Sequence, residues 1–141
     1  MIPDDFWALP IHPPFVHFPV AMLSAAWGLI VLGYLSGSAR WHNLATNVEW
    51  LGLAFVPVTG LTGLRDAEGP GFLVDIDWSQ PLIWHVLASS LAAVVFAVHA
   101  VIVLRARRTG RPPASVDLGL ASVGFWLLLV GGLIAGEMVY G

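Results

Sequence analysis

Four long apolar stretches, almost free of charge, constrain this chain more than any other feature. They run from about Pro14 to Leu35, about Leu44 to Leu64, about Pro81 to Leu104 and about Leu118 to Val139. At about 1.5 Å of rise per residue, each is long enough to cross about 30 Å of hydrocarbon as a helix. Lipid offers no hydrogen bonds, so a backbone inside it must satisfy its own polar groups. Continuous apolar runs of this length do that as helices, not as strands. The expectation is therefore an all-α, integral membrane four-helix bundle, one transmembrane domain over residues 1–141. Composition agrees: 11% of residues are charged, against about 25% in an average soluble domain. Disorder, collagen and coiled coil are excluded.

The charges that remain predict an orientation. All six basic residues are arginines. Arg105, Arg107, Arg108 and Arg111 are expected in the loop between the third and fourth helices, and Arg40 between the first and second. The positive-inside rule makes that side cytoplasmic. Asp4, Asp5, Asp66, Glu68, Asp75 and Asp77 fall on the opposite side, so both termini are expected to be extracytoplasmic. Trp7, Trp78 and Trp84 would form an aromatic belt there, with Trp41 at the inner boundary. Met1-Ile2-Pro3-Asp4-Asp5 lacks a basic region and no small-residue cleavage pattern follows the first helix, so no removable signal peptide is expected. The implied location is a membrane, crossed several times, with the arginine side in the cytoplasm.

Proline and glycine punctuate the spans. Pro13-Pro14 and Pro81 open the first and third helices, where the missing N–H costs little. Pro19 and Pro57 fall inside helices. Gly132-x-x-x-Gly136, with Gly60 and Gly63, would let helices approach closely. A faint repeat matches Pro14-Phe15-Val16-His17 with Pro81-Leu82-Ile83-Trp84-His85, which would relate the two hairpins about an axis along the membrane normal.

With no cysteine in the chain, thiolate zinc sites, iron–sulfur clusters and c-type haem attachment are excluded. A formal net charge of -3 gives no basic patch for nucleic acid. Gly69-Pro70-Gly71 is not a dinucleotide fingerprint, and nothing supports hydrolase or nucleotide chemistry. What remains is a set of ionisable residues at helix ends, each costly in lipid and so in need of a partner or a purpose. His12, His17, Arg65, Asp66, His85 and Glu137, the last expected to be buried, are all predicted in the outer layer. On helical wheels His85, Ser89, Ala92, Phe96 and His99 share one face, as do His17, Ala21, Ser24 and Gly28; Thr59, Thr62 and Asp66 form a polar stripe.

Two histidines on facing helices suit a b-type haem with both axial positions filled by imidazole, here His17 and His85, with Arg65 pairing the propionates. The alternative is a non-haem Zn, Fe or Cu ion held by His12, His17 and His85 with Asp66 or Glu137. A third class is a cofactor-free structural subunit whose polar cluster holds helices together. Asp66 could be no more than a local ion pair with Arg65. His42 is expected in the inner loop, solvated, and His99 is expected to meet Glu49 in a plain contact; its distance of about 21 Å from His85 along the helix would also suit stacked haems.

The segment His12-Pro13-Pro14-Phe15-Val16-His17-Phe18-Pro19-Val20-Ala21 resembles the opening signature of domain-of-unknown-function family 2231, uncharacterised bacterial membrane proteins. Gly60-Leu61-Thr62-Gly63-Leu64-Arg65-Asp66, His85 and Gly136-Glu137-Met138-Val139-Tyr140-Gly141 are similar to its later motifs, in the same order. The resemblance implies four membrane helices and draws attention to His12, His17, Asp66, His85 and Glu137 without assigning a reaction. Taken together, the expectation is a haem b electron carrier in the outer half of the membrane. Its partners would be the lipid bilayer, a redox protein on the extracytoplasmic side and further copies of itself.

Overall fold

The computed structural model describes residues 10–67, 71, 76–110 and 115–141. Four helices follow one another: α1 (His12–Ser36), α2 (Ala39–Asp66), α3 (Pro81–Arg108) and α4 (Ser115–Tyr140). No strand occurs among the described residues. Each helix is long and apolar enough to cross a membrane, so the chain is an all-α, multi-pass membrane protein.

Local chemistry explains where the helices begin and end. Prolines occupy the first turns of α1 and α3, where a missing N–H leaves no bond unmade. Gly37 ends α1 at φ +64°, and Gly110 follows α3 at φ +67°; glycine enters this left-handed region without a Cβ clash. Pro19 and Pro57 lie within α1 and α2, which continue past them.

The helices outrun the apolar stretches at one end of the bundle. Arg40 lies in the first turn of α2, and Arg105, Arg107 and Arg108 in the last turn of α3, not in connecting loops. Long arginine stems lie along apolar surface while the guanidinium reaches water, and cations at a helix C-terminus meet its negative dipole end. Arg111 lies outside the described residues, as do Asp4, Asp5, Trp7, Glu68 and Asp75. The opposite end carries the start of α1 and the end of α4. Here the Trp84 indole N–H donates to the Trp78 carbonyl at 3.0 Å, and the two rings lie 5.7 Å apart.

Packing forms two tight hairpins, α1 with α2 and α3 with α4, which meet more sparsely through α1–α4 and α2–α3. Helices α1 and α3 therefore stand diagonally across the bundle. Lipid tails are as apolar as leucine side chains, so shape, not hydrophobicity, must decide which faces turn inward. The interior is accordingly built of small residues with a few large ones: Ala26, Ala45, Ala92, Ala100 and Ala121 beside Leu23, Ile30 and Phe96. Gly52 lets α2 settle on Leu23 and Met22, and Gly124 lets α4 settle on Phe96. Trp27 stacks on Phe125 at 4.0 Å and donates its indole N–H to Ser122 at 3.1 Å, tying α1 to α4. Gly132 and Gly136 face open space, so that spaced pair holds no contact within the bundle; Gly60 is likewise open.

Candidate functional site: two polar layers

The buried stripe of α1 runs Pro19, Leu23, Ala26, Ile30 and Gly33. His12 precedes Pro19 by seven residues, or two turns, and so extends that stripe, whereas His17 falls about 140° round the helix from His12 at about 100° per residue. The side chains follow that geometry. The His12 ring packs over Gly63, where an added Cβ would stand 3.2 Å from it. Its Nδ1–H donates to the Thr59 carbonyl at 3.0 Å, with the Thr62 hydroxyl 3.3 Å from the same nitrogen. His17 is exposed, and its Nδ1–H donates to the Pro13 carbonyl of its own helix. His12, not His17, is therefore the ring that faces His85.

His85 reaches the same place from α3. Its Nδ1–H donates to the Gly131 carbonyl of α4 at 2.8 Å. The two ring centroids lie 6.5 Å apart with planes at 80°. Each ring is thus braced on a backbone carbonyl of its own hairpin partner. That contact fixes the hydrogen on Nδ1 and leaves each Nε2 as the nitrogen able to bind an electrophile.

Asp66 has a different task from ligation. One carboxylate oxygen accepts the backbone N–H of His12 at 2.7 Å and the other accepts Arg65 at 3.1 Å. It caps α1, whose own N-cap residue makes no side-chain bond, with charge at the positive end of the helix dipole. Arg65 is 42% exposed and Asp66 17%, so their pair sits at the aqueous margin. Glu137 is exposed in the last turn of α4, off the inward stripe formed by Asp117, Gly124 and Gly131, so the expectation of a buried carboxylate there is corrected. No group of three histidines or carboxylates arranged to hold a metal ion occurs among the described residues.

A family model described as a predicted membrane protein, DUF2231, matches residues 8–141. The chain belongs to the DUF2231 family. No curated protein and no solved structure matches it.

This DUF2231 chain has a second polar layer, near the arginine end. Glu49 of α2 and His99 of α3 are 0% and 2% exposed, and His99 Nδ1 shares a hydrogen bond of 2.7 Å with a Glu49 oxygen. The contact expected from sequence is present. Above it a cavity of about 670 Å³ is lined by residues of all four helices, including Tyr34, His42, Thr46, His99, Arg107 and Asp117. His42 belongs to α2 and packs its ring against Gly33, so it is half-buried, not solvated in a loop. Sequence reasoning missed Arg107, which donates to the His42 carbonyl at 2.7 Å and to the Thr46 hydroxyl at 2.8 Å and so bridges α3 to α2. The available signal was position: Arg107 lies eight residues, about two turns, beyond His99 on the same helix.

Proposed function

We propose that the DUF2231 chain is an electron carrier holding a b-type haem between His12 and His85 near the end that bears its termini. The observation behind this reading is the facing pair of rings, each with Nδ1 on a backbone carbonyl and Nε2 free to ligate. The ring centroids stand 6.5 Å apart, so one metal centre held by both Nε2 nitrogens would fit between the two helices. A haem asks the protein for only two donors. A non-haem ion of Zn, Fe or Cu asks for three or more, and both oxygens of Asp66 are already engaged. His17, turned outward onto Pro13, is replaced by His12 in the proposed ligand pair.

When bound, haem supplies a one-electron couple whose potential follows its axial ligands and surroundings. The chain's own residues do the rest. The Thr59 and Gly131 carbonyls hold the ring orientations and tautomers, and Asp66 fixes the start of α1 so that His12 keeps its place. Arg65 is the cation of this layer and would pair with propionate carboxylates at the aqueous margin. The sparse contact between the hairpins is where a flat ligand would enter, as in soluble bundles that hold cofactors between facing helices. The proposed location is the bacterial inner membrane with both termini extracytoplasmic, so an electron partner would dock on that side.

The test is an absorption spectrum with metal analysis on protein expressed with ample haem and metal. The expected result is a Soret band of six-coordinate low-spin haem. It should be converted to five-coordinate or lost in His12→Ala and in His85→Ala, and unchanged in His17→Ala, His42→Ala and His99→Ala. About one equivalent of Zn, Fe or Cu with no Soret band would replace haem by the non-haem ion. Neither colour nor metal would leave the layer as a helix-packing device.

A further inference from the structure

The Glu49–His99 pair takes no part in the proposed haem site, and its surroundings ask for a separate account. Both side chains are fully buried within membrane-spanning helices, and their one mutual hydrogen bond leaves the second oxygen of Glu49 and the Nε2 of His99 with no partner. A polar atom left unpaired in such a place is expensive, and a net charge there more so. When Glu49 is ionised it accepts the Nδ1–H, Nε2 is bare and the pair carries a charge of -1. Adding one proton makes it neutral, and the bare Nε2 of His99 is a place where that proton can enter.

Access is one-sided. His99 lines the cavity at the arginine end, and Glu49, which lies beneath it, does not. The other titratable or charged groups on that cavity are Tyr34 from α1, His42 from α2, Arg107 from α3 and Asp117 from α4. Thr46, one turn before Glu49 on α2, lines it too, holds Arg107 and donates to the His42 carbonyl at 3.0 Å. The polar lining thus leads from the arginine end down to His99 and no further.

We propose that Glu49 and His99 form a proton-binding site filled from the arginine end through this cavity. Hydronium in the cavity gives a proton to His99 Nε2 and is left as water, and the Nδ1 proton passes along the existing 2.7 Å bond to Glu49 Oε1. One N–H bond forms, one N–H bond is exchanged for an O–H bond, and the pair goes from -1 to neutral with no redox partner required. Imidazole's two nitrogens make it suited to this relay. The site would let the protein take up a proton on one side of the membrane whether or not a haem is bound on the other.

The experiment is infrared spectroscopy of the haem-free protein in lipid bilayers, labelled on glutamate in a Glu68→Gln, Glu137→Gln background so that neither Asp117 nor the other two glutamates contribute. As pH falls, a protonated-carboxyl band from glutamate should appear, shift on transfer to deuterium oxide, and vanish in Glu49→Gln. Deuterium uptake into that band should slow by roughly a hundredfold in His99→Gln, the scale of losing a positioned proton-transfer group. A comparable slowing should follow Ala106→Phe, which fills the cavity without touching either partner. Unchanged exchange in both variants would overturn the route, and a glutamate band that persists in Glu49→Gln would overturn the site. Should Glu49→Gln fail to fold, the exchange rates of the other two variants decide the matter alone.

Discussion

Gly124 and Gly132 lie eight residues apart on α4 and do opposite things. A Cβ on Gly124 would stand 3.0 and 3.1 Å from ring carbons of Phe96 and 3.3 Å from Val95, and Phe96 is fully buried, with nowhere to go. Gly124→Ala should therefore destabilise the bundle by about 1–3 kcal/mol, the usual cost of overpacking. Gly132 meets nothing within 4 Å, so Gly132→Ala should be neutral or stabilise by about 0.5–1 kcal/mol, the helix-propensity gain. Unfolding in detergent measures both, and equal losses would mean that α4 packs by another face. The same face logic explains which site residues were legible in sequence. Thr59, Thr62 and Asp66 read as one polar stripe, and all three meet His12. His17 misled because its small neighbours Ala21, Ser24 and Gly28 look like an inward face, yet in lipid a small or weakly polar stripe is not driven inward. The heptad Pro19, Ala26, Gly33 was the better guide, and it points back to His12.

Two carboxylates at the end that bears His12 and His85 act on whole elements. Asp66 joins hairpin α1–α2 at its open end by accepting the first N–H of α1, so Asp66→Ala should cost about 0.5–2 kcal/mol, the range of a lost N-cap. Faster hydrogen exchange in the first turn of α1 than in its middle would show the loss to be local; uniform loss along α1 would contradict the capping role. Asp77 organises the approach to α3. Its carboxylate accepts the Ser79 hydroxyl at 2.7 Å and the Ser79 N–H at 3.0 Å, and Gln80 at 3.3 Å. These bonds, the Ser79 hydroxyl foremost, hold its carboxyl below the usual carboxylate range. A group lowered on folding adds stability above its unfolded pKa and loses it as pH falls through the folded value. Protection of the Ser79 amide should therefore be complete at neutral pH and fade only in acid, below the range where a free aspartate titrates; protection unaffected by acid would discount the turn. The helix ends themselves were less legible than the spans. Apolar runs mark what lipid covers, whereas Arg40, Arg105, Arg107 and Arg108 lie on helical turns that project beyond it.

Four spans were plain from sequence because an apolar run of that length suits a membrane helix and little else, whereas the joining of α2 to α3 through Arg107, Thr46 and the Glu49–His99 pair needed the register between helices. That register also separates the molecule into two ends of unlike chemistry. With an even number of spans, the start of α1 and the end of α4 lie together, beside His12, His85, Asp66 and Asp77, while Arg40, Arg105, Arg107 and Arg108 gather at the other. Arginines near span ends resist translocation, and acidic residues contribute little, so the arginine end should stay in the cytoplasm. The consequence reaches both proposed sites: electrons would exchange outside, and protons would enter from inside. Because the chain has no cysteine, single cysteines report without background. Ser79→Cys and Thr109→Cys are both at exposed positions on opposite ends. In intact cells an impermeant maleimide should modify Ser79→Cys at once and Thr109→Cys only after the membrane is opened. The reverse pattern would move the proposed haem layer to the cytoplasmic side and the proposed proton entry to the outside. Labelling of both from one side would break the pairing of α3 as a single span, and with it the diagonal meeting of His12 and His85 on which the functional reading depends.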